Sequence, residues 1–405
     1  MQRRGHSALL LLPLLCVGTL APACGLRDSE SGGSVCTPTV AFPAGIEHGP
    51  MVGRPSPASV VIAWRSVSTV APAVEWGPTP GYGSLATGPS GTVHEIALTG
   101  LAPGTPYHYR LRLDGTPTGG DHAFRTPPVD PAAPVRFAVA ADTGSGCAAQ
   151  MRVVSRIEAM NPDFVLLAGD LAYMGGTPVE VRARMMWPFA ELLATRPVFT
   201  ALGNHDVVTG LGAPLLAAVT MPTNSVDGSE RFFSFDWGAV HVAVLDTNMD
   251  VTAGSPQIAW LGADLAAATG ARWKFVVFHH PVYSSSKHGS SPLLQSTVSP
   301  LCDAHHVDVV FTGHDHDYER SHPMKAGLVT DAGGGPAYVD PAGTIYVVSG
   351  GGGKDLYARG TSSFTAYSES VHQAIRVDVV GGTLSLTPVR ADGTTMDPIT
   401  ITKTP

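Results

Sequence analysis

Five short polar clusters hold most of the residues in this 405-residue chain that could do chemistry. In chain order they are Asp142-Thr143-Gly144, Gly169-Asp170-Leu171-Ala172-Tyr173, Gly203-Asn204-His205-Asp206, His279-His280-Pro281 and Gly313-His314-Asp315-His316-Asp317-Tyr318-Glu319-Arg320. Carboxylates, imidazoles, an amide oxygen and a phenol are the donors that hard and borderline metal ions take. Taken singly the clusters are ordinary: Asp-Thr-Gly and Gly-Asp are common turn chemistry, and paired histidines at a strand end are a usual ligand geometry. Each, however, follows directly on a short apolar run, and that shared position predicts one site.

The runs are the elements that must carry the clusters. Apolar stretches at 135–141, 164–168, 198–202, 242–245, 275–278, 307–311 and 345–348 are too short for helices and read as buried strands. Several are separated by helical segments. Thr177-Pro178 with Glu180 spells a capping box with proline at the first helical position, and 257–268 is an Ala-rich helix. This alternation predicts an α/β sheet covered on both faces, with ligands gathering at the carboxyl ends of its strands. From His372 onward, Ile375, Val377, Val379 and then Leu384, Leu386 alternate as a closing hairpin.

Before residue 128 the rhythm differs. Runs at 60–64, 73–76, 94–98 and 107–113 alternate between Gly, Pro and Ser turns, the pattern of an antiparallel sandwich. Trp64, Tyr107 and Tyr109 read as its core, and His48, His94, His108 and His122 have no ligand-like spacing. A Pro/Ala linker over 126–134 separates the two parts. The fold class is therefore two domains: an N-terminal all-β sandwich over 38–128 and a C-terminal α/β domain over 133–403, a β-sheet sandwich flanked by helices.

Composition narrows the function. Hydrophobic residues at 44% and charged ones at 14% exclude a disordered chain. A net charge of −8, with 25 basic against 33 acidic residues, gives nucleic acid no footprint. Residues 1–23 read as a secretory signal peptide, with Arg3 and Arg4 before an apolar run too short to span a bilayer, and no later segment predicts a transmembrane helix. Cys24 stands where a bacterial lipoprotein is cleaved and lipidated, although Ala21 replaces the usual Leu; ordinary cleavage nearby and release is the other reading. Polar residues over 24–37 then form a tether. The expected location is outside the cytoplasm, as a cell-envelope lipoprotein attached by lipid at Cys24 or as an extracellular or periplasmic protein. Cys36, Cys147 and Cys302 allow one bridge with one thiol left over, and spacing does not say which pair forms it.

The motifs Asp142-x-Gly144, Gly169-Asp170-x-x-Tyr173, Gly203-Asn204-His205-Asp206, Val276-x-x-His279 and Gly313-His314-x-His316, in that order, resemble the signature of the purple acid phosphatases within the calcineurin-like metallophosphoesterases. The stretch from Leu101 to Tyr107, with Trp64 and Phe124, resembles a fibronectin type III domain of the kind that precedes the catalytic domain in plant-type members. The resemblance implies a metallophosphoesterase fold and a dinuclear centre of Fe(III) plus a divalent ion, Zn, Mn or Fe. Asp142, Asp170, Tyr173 and His316 would serve the trivalent ion, and Asn204, His279 and His314 the divalent one, with Asp170 bridging. It also implies His205 as the acid near the leaving group with Asp206 orienting its ring, and His288 as an outer contact to phosphate. The implied activity is hydrolysis of phosphate monoesters, with small phosphorylated molecules as substrates.

Two rival readings stand beside it. One is a phosphodiesterase or nucleotidase with the same metals, since the site fixes phosphate chemistry and not the ester. The other is a surface adhesion protein with an inactive hydrolase fold. Remaining polar features read as structure: His305-His306 as a helix end, His241 as a strand residue, and His280 as either substrate-facing or packed. Gly350 to Gly353 with Lys354 lacks the spacing of a phosphate-cradling loop and reads as a turn lining the pocket edge.

Overall fold

Every side chain of the strand Phe164–Ala168 is buried, so it is covered on both faces, and the same holds for Val198–Ala201, Ile345–Ser349 and Val309–Thr312. Such runs make the middle of the C-terminal domain. The computed structural model describes residues 42–333 and 335–404. The signal peptide, Cys24, the tether and Cys36 lie outside the described residues. Within them no helix is long and apolar enough to cross a membrane.

The strands form two facing seven-stranded sheets, as the expected sheet sandwich requires. Val198–Ala201, Phe164–Ala168 and Val135–Ala140 pair in parallel and continue through the antiparallel hairpin Gln373–Val380 and Thr383–Arg390 to Ile399–Thr402 and Ala337–Val339. The second sheet runs Phe233–Trp237, Val240–Val244, Trp273–Val277, Val309–Thr312, Ile345–Ser349, Tyr318–Ser321 and Thr365–Glu369, parallel in its middle and antiparallel at its ends. The inner faces meet through aromatic contacts: Phe137 lies 5.1 Å edge-on to Phe275, and Phe164 lies 5.3 Å from Phe235. Helix Ala148–Met160 buries Val153, Val154 and Ile157 on the outside of the first sheet, and Pro256–Ala267 and Pro292–His305 cover the second. The capping box at Thr177 and Glu180 forms as read, though the α-helix it starts, Pro178–Val181, is one turn long before passing into a wider turn.

The N-terminal part is a sandwich of three strands on four, with Trp64, Tyr107 and Tyr109 in its core as anticipated. It packs against the C-terminal domain: the Tyr109 hydroxyl donates to Ala194 O at 2.7 Å, and Arg54 donates to Glu230 at 2.6 Å. Cys147 is exposed, Cys302 is buried, and both are free thiols.

Candidate metal centre

The clusters leave the carboxyl ends of strands from both sheets and meet over one end of the sandwich. At three turns the backbone takes a left-handed conformation, Asp142 at φ 57, Asp170 at φ 54 and His314 at φ 71, which turns these side chains back over the strand ends. Aspartate and histidine are among the non-glycine residues found most often in that region, and its use at three turns of one site is common where side chains are held for binding. The loops are tied to each other. Asp142 N donates to Gly169 O, Gly144 N to Asp170 O and Tyr173 N to Gly144 O.

Asp142, Asp170 and His279 each offer a donor atom within 4.8 Å of the others, and all three are buried. The Tyr173 hydroxyl donates to Asp142 Oδ1 at 2.8 Å and lies 3.0 Å from His316 Nε2. Asn204 Oδ1 lies 3.1 Å from His279 Nε2, and His279 Nε2 lies 3.4 Å from Asp170 Oδ2. The His314 amide donates to Asp142 Oδ2 at 2.9 Å, while its ring, 5.1 Å from that of His279, makes no hydrogen bond among the described residues. All the residues expected as ligands are thus brought to one place.

Electrostatics there favour a cation. Burial opposes a charged imidazole, yet the Asp170 and Asp142 carboxylates push His279 up to about 10. Burial would raise Asp170, but His279 and His205 hold it well below the usual carboxylate range. Burial and the carboxylates of Asp142 and Asp170 keep the Tyr173 phenol protonated far above its ordinary range. Two buried carboxylates among neutral nitrogen and oxygen donors fit a pair of metal ions, which would take over the neutralising role of those protons.

The outer residues divide. His205 Nδ1 donates to Met174 O at 2.7 Å and its ring lies 4.5 Å from that of Tyr173, so Nε2 is the nitrogen left to exchange a proton with a ligand. Asp206 does not orient that ring, contrary to expectation. Its buried carboxylate accepts from Leu171 N at 2.9 Å, Ala172 N at 3.0 Å and Gly203 N at 2.9 Å, tying two of the loops together. His288 stacks on His314 with ring centroids 4.0 Å apart, held because its amide and its Nδ1 both donate to Asp315 Oδ1 at 2.9 Å. His280 packs: Nδ1 meets the Thr247 hydroxyl at 2.8 Å and its ring lies edge-on to His314 at 4.7 Å. His306 caps the helix ending at His305 and is exposed.

Two residues of the site had no sequence signal of their own. Asp315 sits between two ligand-type histidines and faces the other way, into the serine-rich loop, where it also accepts the Ser284 hydroxyl at 2.5 Å. Tyr357, in a loop without periodicity, stacks on His316 at 4.1 Å. The same loop supplies the Asp355 carbonyl that accepts from His316 Nδ1 at 2.7 Å.

A family model described as calcineurin-like phosphoesterase matches residues 135–318. Purple acid phosphatase 21 of Arabidopsis thaliana is 31% identical over 279 residues, covering 65% of this chain and 59% of the relative. An uncharacterized protein of Mycobacterium tuberculosis is 30% identical over 366 residues, covering 74% of this chain and 68% of its own length. The chain thus spans about six-tenths of the first of these curated relatives. Among solved structures, a purple acid phosphatase from yellow lupin (Lupinus luteus) seeds superposes with a TM-score of 0.78 at 21% identity, over 87% of this chain and 74% of that one, which shows a shared fold.

Proposed function

Since the chain belongs to the calcineurin-like phosphoesterases as a purple acid phosphatase-like member, we propose that it hydrolyses phosphate monoesters of small molecules at a dinuclear metal centre. The observation that carries this reading is the convergence of Asp142, Asp170 and His279 within 4.8 Å at one buried point, ringed by Tyr173, Asn204, His314 and His316. In it Asp142, Asp170, Tyr173 and His316 hold Fe(III), and Asn204, His279 and His314 hold Zn, Mn or Fe in the divalent state, with Asp170 shared. The metal pair supplies Lewis acidity at the phosphoryl oxygens and acidifies the attacking water. The chain's own part is to place groups around them. His205, with Nδ1 committed to the Met174 carbonyl, carries a proton on Nε2 to the leaving oxygen. His288, with Nδ1 committed to Asp315, presents Nε2 to a phosphoryl oxygen. Asp206 holds the Asp170 and Asn204 loops in register. The leader and Cys24 support export, with the lipid-attached and released forms as its two versions.

One experiment tests the reading. The mature protein, purified without chelator, is expected to contain about two metals per chain including iron, to show a broad visible band and to hydrolyse p-nitrophenyl phosphate faster than its bis-ester. Asp170→Ala should lose metal and hydrolysis together, and Tyr173→Phe should lose the band while keeping the fold. Faster cleavage of the bis-ester selects the diesterase. A protein without metal or hydrolysis, with surface binding intact in Asp170→Ala, selects adhesion.

A further inference from the structure

The run Gly350-Gly351-Gly352-Gly353 leaves the strand Ile345–Ser349 and ends in Lys354, and the mechanism above makes no use of it. Its glycines let backbone lie directly against the metal-site loops. A Cβ on Gly350 would stand 2.0 Å from Asp315 O and 2.9 Å from Asp142 Oδ2, and one on Gly352 would stand 2.1 Å from Ala141 O. Any side chain at either position would push the run away from the site. Gly352 N donates to Ala141 O at 3.0 Å, and Lys354 N donates to Asp142 O at 3.2 Å.

The run therefore delivers Lys354 to a fixed place. Its Nζ lies 5.6 Å from the centroid of the Tyr173 ring, whose hydroxyl meets Asp142. Among the described residues its carboxylate neighbour is Asp355 at 3.4 Å, a side chain 92% exposed, and so solvated a pair contributes little. A lysine held at the rim of a metal site without a buried counter-charge is placed to meet an anion brought by a ligand. The metal pair serves the phosphoryl group under attack, and an ammonium 5.6 Å from the ring of a ligand-type tyrosine stands near enough to that site to meet a second group of the same molecule.

We propose that Lys354 is a specificity-determining residue that pairs with a second anionic group, carboxylate or phosphate, on the leaving part of the substrate. This rests on the phosphoesterase reading above. The substrate class is then phosphate esters of acidic molecules rather than of neutral alcohols.

Phosphonates, which are not hydrolysed, test it by calorimetry on the metal-loaded protein. The probes are benzylphosphonate, 4-carboxybenzylphosphonate and the corresponding bisphosphonate. Lys354→Ala is expected to weaken a probe with a second anion about ten-fold more than it weakens benzylphosphonate, and Lys354→Arg to keep most of the preference, with metal content and thermal midpoint retained. Which second anion suffers the larger selective loss tells carboxylate from phosphate. Lys287 is the comparison, because its Nζ lies 4.2 Å from the Tyr357 ring that stacks on His316. An equal loss for all probes in Lys354→Ala, or the same selective loss in Lys287→Ala, overturns the inference in favour of packing or of a diffuse field. Binding of the probes with no dependence on Lys354 overturns this inference alone. Failure of the metal-loaded wild type to bind any of them overturns the phosphoesterase reading together with it.

Discussion

Three histidines around the centre share one device at their Nδ1 nitrogens. In His205, His279 and His316 that nitrogen lies 2.7, 2.9 and 2.7 Å from the carbonyls of Met174, Ala168 and Asp355, and a carbonyl only accepts, so Nδ1 carries the proton and Nε2 faces the site. His288 follows the same rule with a side chain, Asp315, as acceptor. That difference makes its orientation mutable. Asp315→Ala removes the acceptor for the His288 ring and amide and for the Ser284 hydroxyl, while every expected ligand stays in place. The expected result is a fall of about 10- to 100-fold in kcat/KM, with metal content unchanged and Asp315→Asn, which keeps an acceptor oxygen, recovering part of the loss. Kinetics beside metal analysis checks it, and loss of metal would move the role of Asp315 from His288 to its ligand neighbours. That these donor residues converge was legible in the sequence, because each cluster follows directly on a buried strand. Facing was not: Asp315 has the same chemistry as its neighbours, and only the turn at His314 decides which way each points.

The elements place those residues through loops bonded to one another. The seven runs read in the C-terminal domain were placed to within a residue or two, as with the run at 242–245 against the observed Val240–Val244, since short apolar runs there are bounded by turn residues. Which of the two facing sheets each strand joins was not readable. A strand buried on both faces, such as Phe164–Ala168, has no alternation to tell which sheet it joins. Asp206 shows the cost of that blindness. It looked like a partner for the adjacent His205, whereas it bridges two strand ends by accepting three amide protons with no solvent exposure. Asp206→Ala leaves those amides buried and unpaired, and the expected loss is about 3 kcal/mol or more of unfolding free energy, seen as a lower urea midpoint at unchanged slope. Asp206→Asn keeps one acceptor and should lose less. An unchanged midpoint would mean that water replaces the carboxylate and that the loops are held by their own backbone bonds.

The stability of the whole molecule carries a pH dependence seated far from the metal centre. His241 reads in sequence as an ordinary strand residue, because nothing local shows that Asp236 and Asp264 converge on it. Its Nδ1 lies 2.8 Å from Asp236 and its Nε2 2.8 Å from Asp264 on helix Pro256–Ala267, so both nitrogens donate and the ring is an imidazolium. Asp264 is itself fixed by the Ser234 hydroxyl at 2.6 Å, and Lys274 lies on the next strand opposite His241 with its ammonium turned to the carbonyls of Leu265 and His305. Burial opposes the charge, but the two carboxylates win and push His241 up to about 9. In the unfolded chain the ring titrates near its ordinary value of about 6.5. A folded value above the unfolded one means that the folded state holds the proton more tightly. The stabilisation is therefore complete below about pH 6.5 and lost as pH rises through about 9. Asp236 is 76% exposed, so solvent screening trims the contribution to about 2 kcal/mol. Urea unfolding of the wild type should fall by that amount between about pH 6.5 and pH 9.5 relative to His241→Gln, which keeps a hydrogen bond without a charge. Parallel curves for the two proteins would place the pH dependence in other groups and leave His241 a neutral link between strand and helix.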